Sequence, residues 1–191
     1  MAKHIMLEGA ALCSPFIQGH LDYLCGLYAA VNAIALIMAP TSPLTRAQAR
    51  SLIRIGTEHL QKRDELCLAL NFGIDIERQV QVALHMLKRA ASVTGVPILA
   101  TTPFAAKAEP ATISALERKL GEGAALMVFL QGALDHYSVI CGMTRGRVVL
   151  FDSDGHHWLD RGSLCVGEDQ RHARHHVPAA SVIEVRAAAP E

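Results

Sequence analysis

The chain carries no excess of charge of either sign. Eighteen lysines and arginines are matched by eighteen aspartates and glutamates, so there is no electrostatic case for nucleic acid or a membrane surface as a partner. No two cysteines stand in a CxxC pair. Five cysteines, an odd number at irregular intervals, argue against a disulfide framework and fit a reducing compartment. HExxH and the Cys/His spacings of zinc fingers are missing. The longest apolar run, Leu24 to Ala39, contains Asn32 and falls short of the roughly 20 residues that cross a bilayer. At the N-terminus Lys3 is followed by apolar residues, but Glu8 interrupts before the core of a secretory signal is complete. Internal repeats and low-complexity tracts are also absent. A soluble, cytoplasmic protein is the expectation.

What remains has an ordinary globular composition, 51% hydrophobic and 19% charged, which is not that of a disordered chain. A length of 191 residues suits one domain with a substantial core, read here as a single domain over 1–191. The patterns predict a buried helix from Cys25 to Met38, stopped by Pro40. A second begins with Ser42 as cap and Pro43 in its first turn and runs to about Lys62. Leu66 to Leu70 extends it or forms a separate turn. Further helices are predicted over Ile76–Ala91 and Thr112–Leu120. Strands are predicted over 97–100, 125–130, 137–142, 147–151 and 182–185. Helices thus gather in the first half and antiparallel strands in the second, an α+β arrangement.

The most informative segment runs from Gln18 to Tyr28 and places Cys25 where a loop becomes a buried helix. A thiol at a helix N-terminus faces the positive end of the helix dipole, which favours the thiolate. Far downstream come Asp135-His136-Tyr137-Ser138-Val139-Ile140 and Arg147-Val148-Val149-Leu150-Phe151-Asp152. These read as two strands of a hairpin around Thr144-Arg145-Gly146. A hairpin centred on Thr144 sets His136 directly opposite Asp152, on one face of the sheet. An imidazole oriented by a carboxylate there keeps its other nitrogen for a thiol brought in from the helix. Cys25, His136 and Asp152 therefore read as nucleophile, general base and orienter, with Ser153 and Asp154 as near rivals of Asp152.

Other reactive side chains fit blander roles. Cys67 and Cys141 sit in apolar contexts and read as core thiols. Cys13 and Cys165 fall in predicted loops with no helix behind them. His156, His157, His172, His175 and His176 invite a metal hypothesis, but Arg171 and Arg174 lie among the last three, and a solvated basic loop is the reading. Asp22, Tyr23 and Tyr28 are assigned to the mouth of a cleft, with no chemistry.

On these residues the chain resembles the papain-like cysteine peptidase superfamily, and within it the double-glycine leader peptidases and the phytochelatin synthases. The residues that carry the likeness are Gln18 ahead of the helix, Cys25-Gly26-Leu27 at its start, His136 followed by an aromatic and β-branched run, and Asp152 after a second strand. The order Cys, His, Asp is that of papain-like enzymes, whereas viral and SUMO peptidases place histidine first. Leader peptidases have a similar His-to-Asp interval. Phytochelatin synthases share Cys-Gly-Leu and a His-Trp pair similar to His157-Trp158. The likeness spans Gln18 to about Trp158. Gln18 precedes Cys25 by seven positions where about six are usual, and Leu24-Cys25-Gly26-Leu27 stands where leader peptidases carry Asp-Cys-Gly-Pro.

The resemblance implies a helical lobe facing a sheet lobe across a cleft. Gln18 would donate its amide to a developing oxyanion together with the Cys25 N–H. It further implies a peptide or protein substrate cleaved through an acyl-enzyme, with no metal or organic cofactor. Interception of the same thioester by an amine, giving acyl transfer, is the alternative within catalysis. A papain-like module that has lost activity and only binds peptides is the alternative outside it.

Overall fold

The structure is a computed structural model and describes residues 4–19, 22–104, 109–167 and 173–188. In chain order its elements are β1 (Ile5–Met6), α1 (Gly9–Leu12), α2 (Cys25–Met38), α3 (Arg46–Gln61), α4 (Leu66–Phe72), α5 (Ile76–Thr94), β2 (Ile98–Thr101), α6 (Ile113–Gly121), β3 (Ala125–Gly132), β4 (His136–Met143), β5 (Arg147–Leu150), β6 (Trp158–Asp160), β7 (Leu164–Val166), β8 (His175–Val177) and β9 (Ile183–Ala187). Helices and a largely antiparallel open sheet form an α+β fold.

The cap chemistry corrects two predicted helix boundaries. α3 starts at Arg46 rather than near Pro43, because Thr45 and Gln48 close a capping box. Thr45 Oγ1 accepts the Gln48 N–H at 3.2 Å, and Gln48 Oε1 accepts the Thr45 N–H at 2.9 Å. Ser42 has no Glu or Gln three residues on and cannot do the same. α5 runs past Ala91 to Thr94, where Gly95 takes the left-handed conformation (φ 76°) that ends the helix. Leu66–Phe72 is a helix of its own, so Cys67 lies exposed on a short surface helix and is not a core thiol. Cys165, placed in a loop by the sequence, is buried in β7.

The main sheet has the order β2-β9-β3-β4-β5-β6, antiparallel along that path. β1 adds to the Met143 end of β4, and β8 pairs with the end of β3 and, in parallel, with β7. α2 packs on β3, β4 and β9 from one side and on α3 and α5 from the other, which explains why its sequence is apolar all round. Leu27, Ile34 and Leu36 are at most 1% exposed, and each contributes about 1.5–3 kcal/mol by burial.

The hairpin of β4 and β5 departs from the predicted register. Its tip is the two-residue Arg145-Gly146, closed by Thr144 N–H to Arg147 O at 2.8 Å, and Met143 pairs with Val148 and Gly142 with Val149. Cys141 then forms a bulge, after which Ile140 pairs with Leu150 and the Phe151 N–H reaches Val139 O at 2.8 Å. Continued one step, this register sets Asp152 against Ser138 rather than against His136. His136 is the diagonal neighbour two residues along, on the same face and within side-chain reach.

Candidate functional site

Cys25 is the first residue of α2 and is half-buried. The preceding turn is held by Asp22, whose Oδ1 accepts the Leu24 N–H at 3.0 Å. No acidic residue occupies the first turn of α2, so the helix dipole there is not neutralised from within. Gly26 lets α5 come close: a Cβ on it would stand 2.0 Å from Gln79 Oε1. Gln79 is fully buried, and neither atom of its amide has a hydrogen-bond partner. It therefore wedges the first turn of α2 from behind.

His136 opens β4 directly after Asp135, which adopts a left-handed φ of 46° and accepts the Gly132 N–H at 3.0 Å. Aspartate tolerates that conformation better than most residues. The His136 ring and the Asp152 carboxylate are buried, and Nε2 lies 2.8 Å from Oδ2. Oδ1 of Asp152 accepts the N–H groups of Asp154 and His156, at 2.8 and 3.2 Å. The carboxylate is thus fixed from both oxygens. Burial pushes Asp152 up, but the hydrogen bond and charge of His136, then the adjacent Ser138 hydroxyl and the Asp154 amide, hold it below its ordinary value. The Ser138 hydroxyl is buried near that carboxylate and meets hydrogen-bond geometry with no group.

Burial pulls His136 down as well. Hydrogen bonding to Asp152 and to Cys25, with the charges of both, outweighs that and raises it from 6.5 to about 10. Cys25 therefore lies close enough to His136 to act on its charge, though no hydrogen bond of good geometry joins the two side chains, and with Nε2 given to Asp152 the nitrogen left for sulfur is Nδ1. An imidazole held in this way can exchange a proton with a thiol and stabilise the ion pair that results. Tyr137, next in β4, is raised by burial and by the charges of Cys25 and Asp75. Its hydroxyl donates to Ile74 O at 3.3 Å, which ties the turn between α4 and α5 to the site.

The loop carrying Gln18 is pinned at two points. Gln18 N–H donates to Ser153 O at 2.8 Å, beside Asp152. Two residues earlier, Phe16 N–H donates to Asn32 Oδ1 at 2.7 Å and Phe16 O accepts from Asn32 Nδ2 at 3.1 Å. Asn32 is fully buried, and the residue that interrupts the apolar run is a clamp. Gln18 Nε2 lies 2.7 Å from Asp22 O and 3.0 Å from Asp22 Oδ1, while its Oε1 is buried without a partner.

The structure thus brings Cys25, His136 and Asp152 together, with Gln18 joined to Asp22 and Ser153 at their edge. Asn32, Gln79, Ser138 and Tyr137 went unassigned in the sequence. For Asn32 and Gln79 the available signal was a polar residue on a helix face that is otherwise apolar. Cys13 caps the end of α1, with Sγ 3.4 Å from Gly9 O. Cys141 is buried in the bulge, where desolvation pushes its thiol up to about 12.

The solvated histidine loop needs correction. His175 is buried in β8, lowered by desolvation and by Arg174 and His156, and His176 hydrogen-bonds Gly167 O. Pairing with β3 and β7 draws this segment into the sheet. His172 and Arg171 lie outside the described residues. His156 sets its ring edge-on to that of His136, with centroids 5.9 Å apart. No group of three or more His, Cys, Asp or Glu among the described residues is arranged to hold a metal ion, and no described helix is long and apolar enough to cross a membrane. Searches against protein-family models, curated proteins and solved structures found no match.

Proposed function

We propose that this chain is a cysteine peptidase or amide hydrolase of papain-like design. The observation that carries the reading is the buried pair His136 Nε2 to Asp152 Oδ2 at 2.8 Å, with Cys25 in reach of the same ring at the start of a helix. Cys25 attacks a carbonyl, His136 takes the thiol proton and returns it to the leaving amine, and water then releases the acyl group by the reverse steps. Asp152 keeps the ring in one tautomer and orientation. The oxyanion meets the Cys25 N–H and the Gln18 amide. Both acceptors of Gln18 Nε2 belong to Asp22, so one N–H shared between them leaves the second for substrate.

One observation favours the reading as an inactive peptide-binding module: the Gln18 amide is already engaged. The two readings separate on thiol reactivity and turnover. An activated Cys25 reacts with iodoacetamide at neutral pH far faster than the exposed Cys67. Cys25→Ala abolishes hydrolysis of a casein or peptide-library substrate and leaves the melting temperature within a few degrees. Hydrolysis at the wild-type rate in this variant would sink the proposal.

A further inference from the structure

A cavity of about 380 Å³ opens one helical turn from Cys25. Tyr28, on its wall, is three residues after Cys25, hence on the same face of α2 and about 4.5 Å along the axis. Phe16, two residues before Gln18, forms another wall, and Val31 and Ile53 complete an apolar floor. Across from these stand Arg46 and Arg50, four residues apart on one face of α3.

The two arginines are oddly placed for structural residues. Arg46 is the first residue of α3, and the first turn of that helix carries no acid. Two cations therefore stand at the end of the helix where the dipole is already positive, an arrangement that weakens the helix. Neither makes an ion pair with a described residue, and the ion pairs of α3 begin only at Arg54 with Glu58. The carboxylate of Asp22, which adds to the effect of burial in raising the Tyr28 phenol, is spent on Gln18 and on the Leu24 N–H. Both side chains are exposed and pair with no described carboxylate, so their guanidiniums stand free beside the apolar recess to meet an anion. An apolar floor under two fork-shaped cations suits a short aliphatic stem ending in a carboxylate.

We propose that this pocket is a substrate subsite for a carboxylate, either an acidic side chain of the peptide or its C-terminus, held by Arg46 and Arg50 while the chain lies across Cys25. The proposal rests on the peptidase reading and adds the chemical class of substrate to it.

The test uses the full chain and esterified epoxysuccinyl peptides, whose strained ring alkylates an activated thiol. Each carries one glutamate, or its neutral isostere glutamine, at successive positions on either side of the reactive ring. A parallel pair ends in a free carboxylate or a carboxamide. Intact-protein mass spectrometry follows the rate of Cys25 labelling. At one position the carboxylate probe labels about tenfold faster than its neutral counterpart at low salt. That advantage shrinks in about 0.5 M salt and disappears in Arg46→Gln/Arg50→Gln, whose fold is checked by thermal melting. The pair that shows the preference tells a side chain from a terminus. Equal rates in every pair, or a preference that survives in the double variant, overturn the subsite and leave the thiol chemistry standing. Failure of every peptide probe, with iodoacetamide modifying Cys25 no faster than Cys67, overturns the peptidase reading and the subsite with it.

Discussion

Replacing Asp152 by asparagine removes the charged partner of His136 at nearly constant volume, in a site where that carboxylate is 2% exposed. Of the influences that raise His136, the Asp152 hydrogen bond is the largest, and burial opposes them all. A hydrogen bond to a charged group is worth about 1.5–3 kcal/mol, or about one to two pH units at 1.36 kcal/mol each. His136, at about 10 in the native chain, should therefore titrate about one to two units lower in Asp152→Asn. The sign of the stability effect follows from the direction of the shift. A histidine raised above its unfolded value of 6.5 stabilises fully below pH 6.5, and that contribution is lost as pH climbs towards 10, with a slope of at most about 1.4 kcal/mol per pH unit. Asp152, held below its ordinary 3.8, stabilises above that value and loses its contribution as pH falls further. Imidazole nitrogen shifts measured by NMR from about pH 5 to 11 test the first statement, and melting temperatures carried down to about pH 2 test the second. Native His136 titrating near 6.5, or no change in Asp152→Asn, would refute the charge-paired site.

Asn32→Ala removes both bonds to the Phe16 backbone and leaves that N–H and C=O without partners, a loss of about 2–4 kcal/mol. Urea unfolding should show it, together with faster hydrogen exchange at Phe16, and a loss under about 1 kcal/mol with unchanged exchange would reject the clamp. Gly26→Ala gains about 1 kcal/mol of helix propensity but drives a methyl into the buried Gln79 amide, for a net loss of about 1–2 kcal/mol. In a Gln79→Ala background the same change should stabilise, and equal effects in both backgrounds would mean that the two residues do not touch.

The sequence made legible whatever depends on long periodic segments or on local chemistry. α2, α5, β3, β4 and β5 lie close to where the patterns put them, and the α+β division holds. β1, α1, β6, β7 and β8 were missed because elements of two to four residues have too little length for a period to show. β8 was read as a solvated loop because His175, His176 and Arg174 are polar in sequence. Pairing with β3 and β7 is a non-local cause that no window of residues contains. Gln79 and Asn32 were silent for a related reason. A buried amide has meaning only against the backbone it faces, and Phe16 and Gly26 lie far from their partners along the chain.

The pairing of His136 with Asp152 shows how narrowly such a site is specified. The register predicted around Thr144 puts the two residues directly opposite, and the true turn at Arg145-Gly146 sets a register shifted by three. Carried without interruption, that register would bring Asp152 against Val139, on the face of β4 opposite to His136, since side chains alternate along a strand. The bulge at Cys141 takes up one residue and restores the parity. Asp152 then falls on the His136 side, one diagonal step away, which is close enough for the 2.8 Å bond. The sequence reading reached the correct face only because its register and the true one differ by an even number. The two cysteines nearest this geometry have opposite tasks. Cys141, buried with its Sγ 3.6 Å from Val149 O, shapes the strand that carries His136, and Cys25 stands half-buried at a helix start. A slip that squeezed out the bulge by pairing Cys141 with Leu150 would turn Asp152 to the far face and leave His136 desolvated without a counter-charge, a costly arrangement, whereas deletion of Cys141 keeps Ile140 against Leu150 and so keeps the pair.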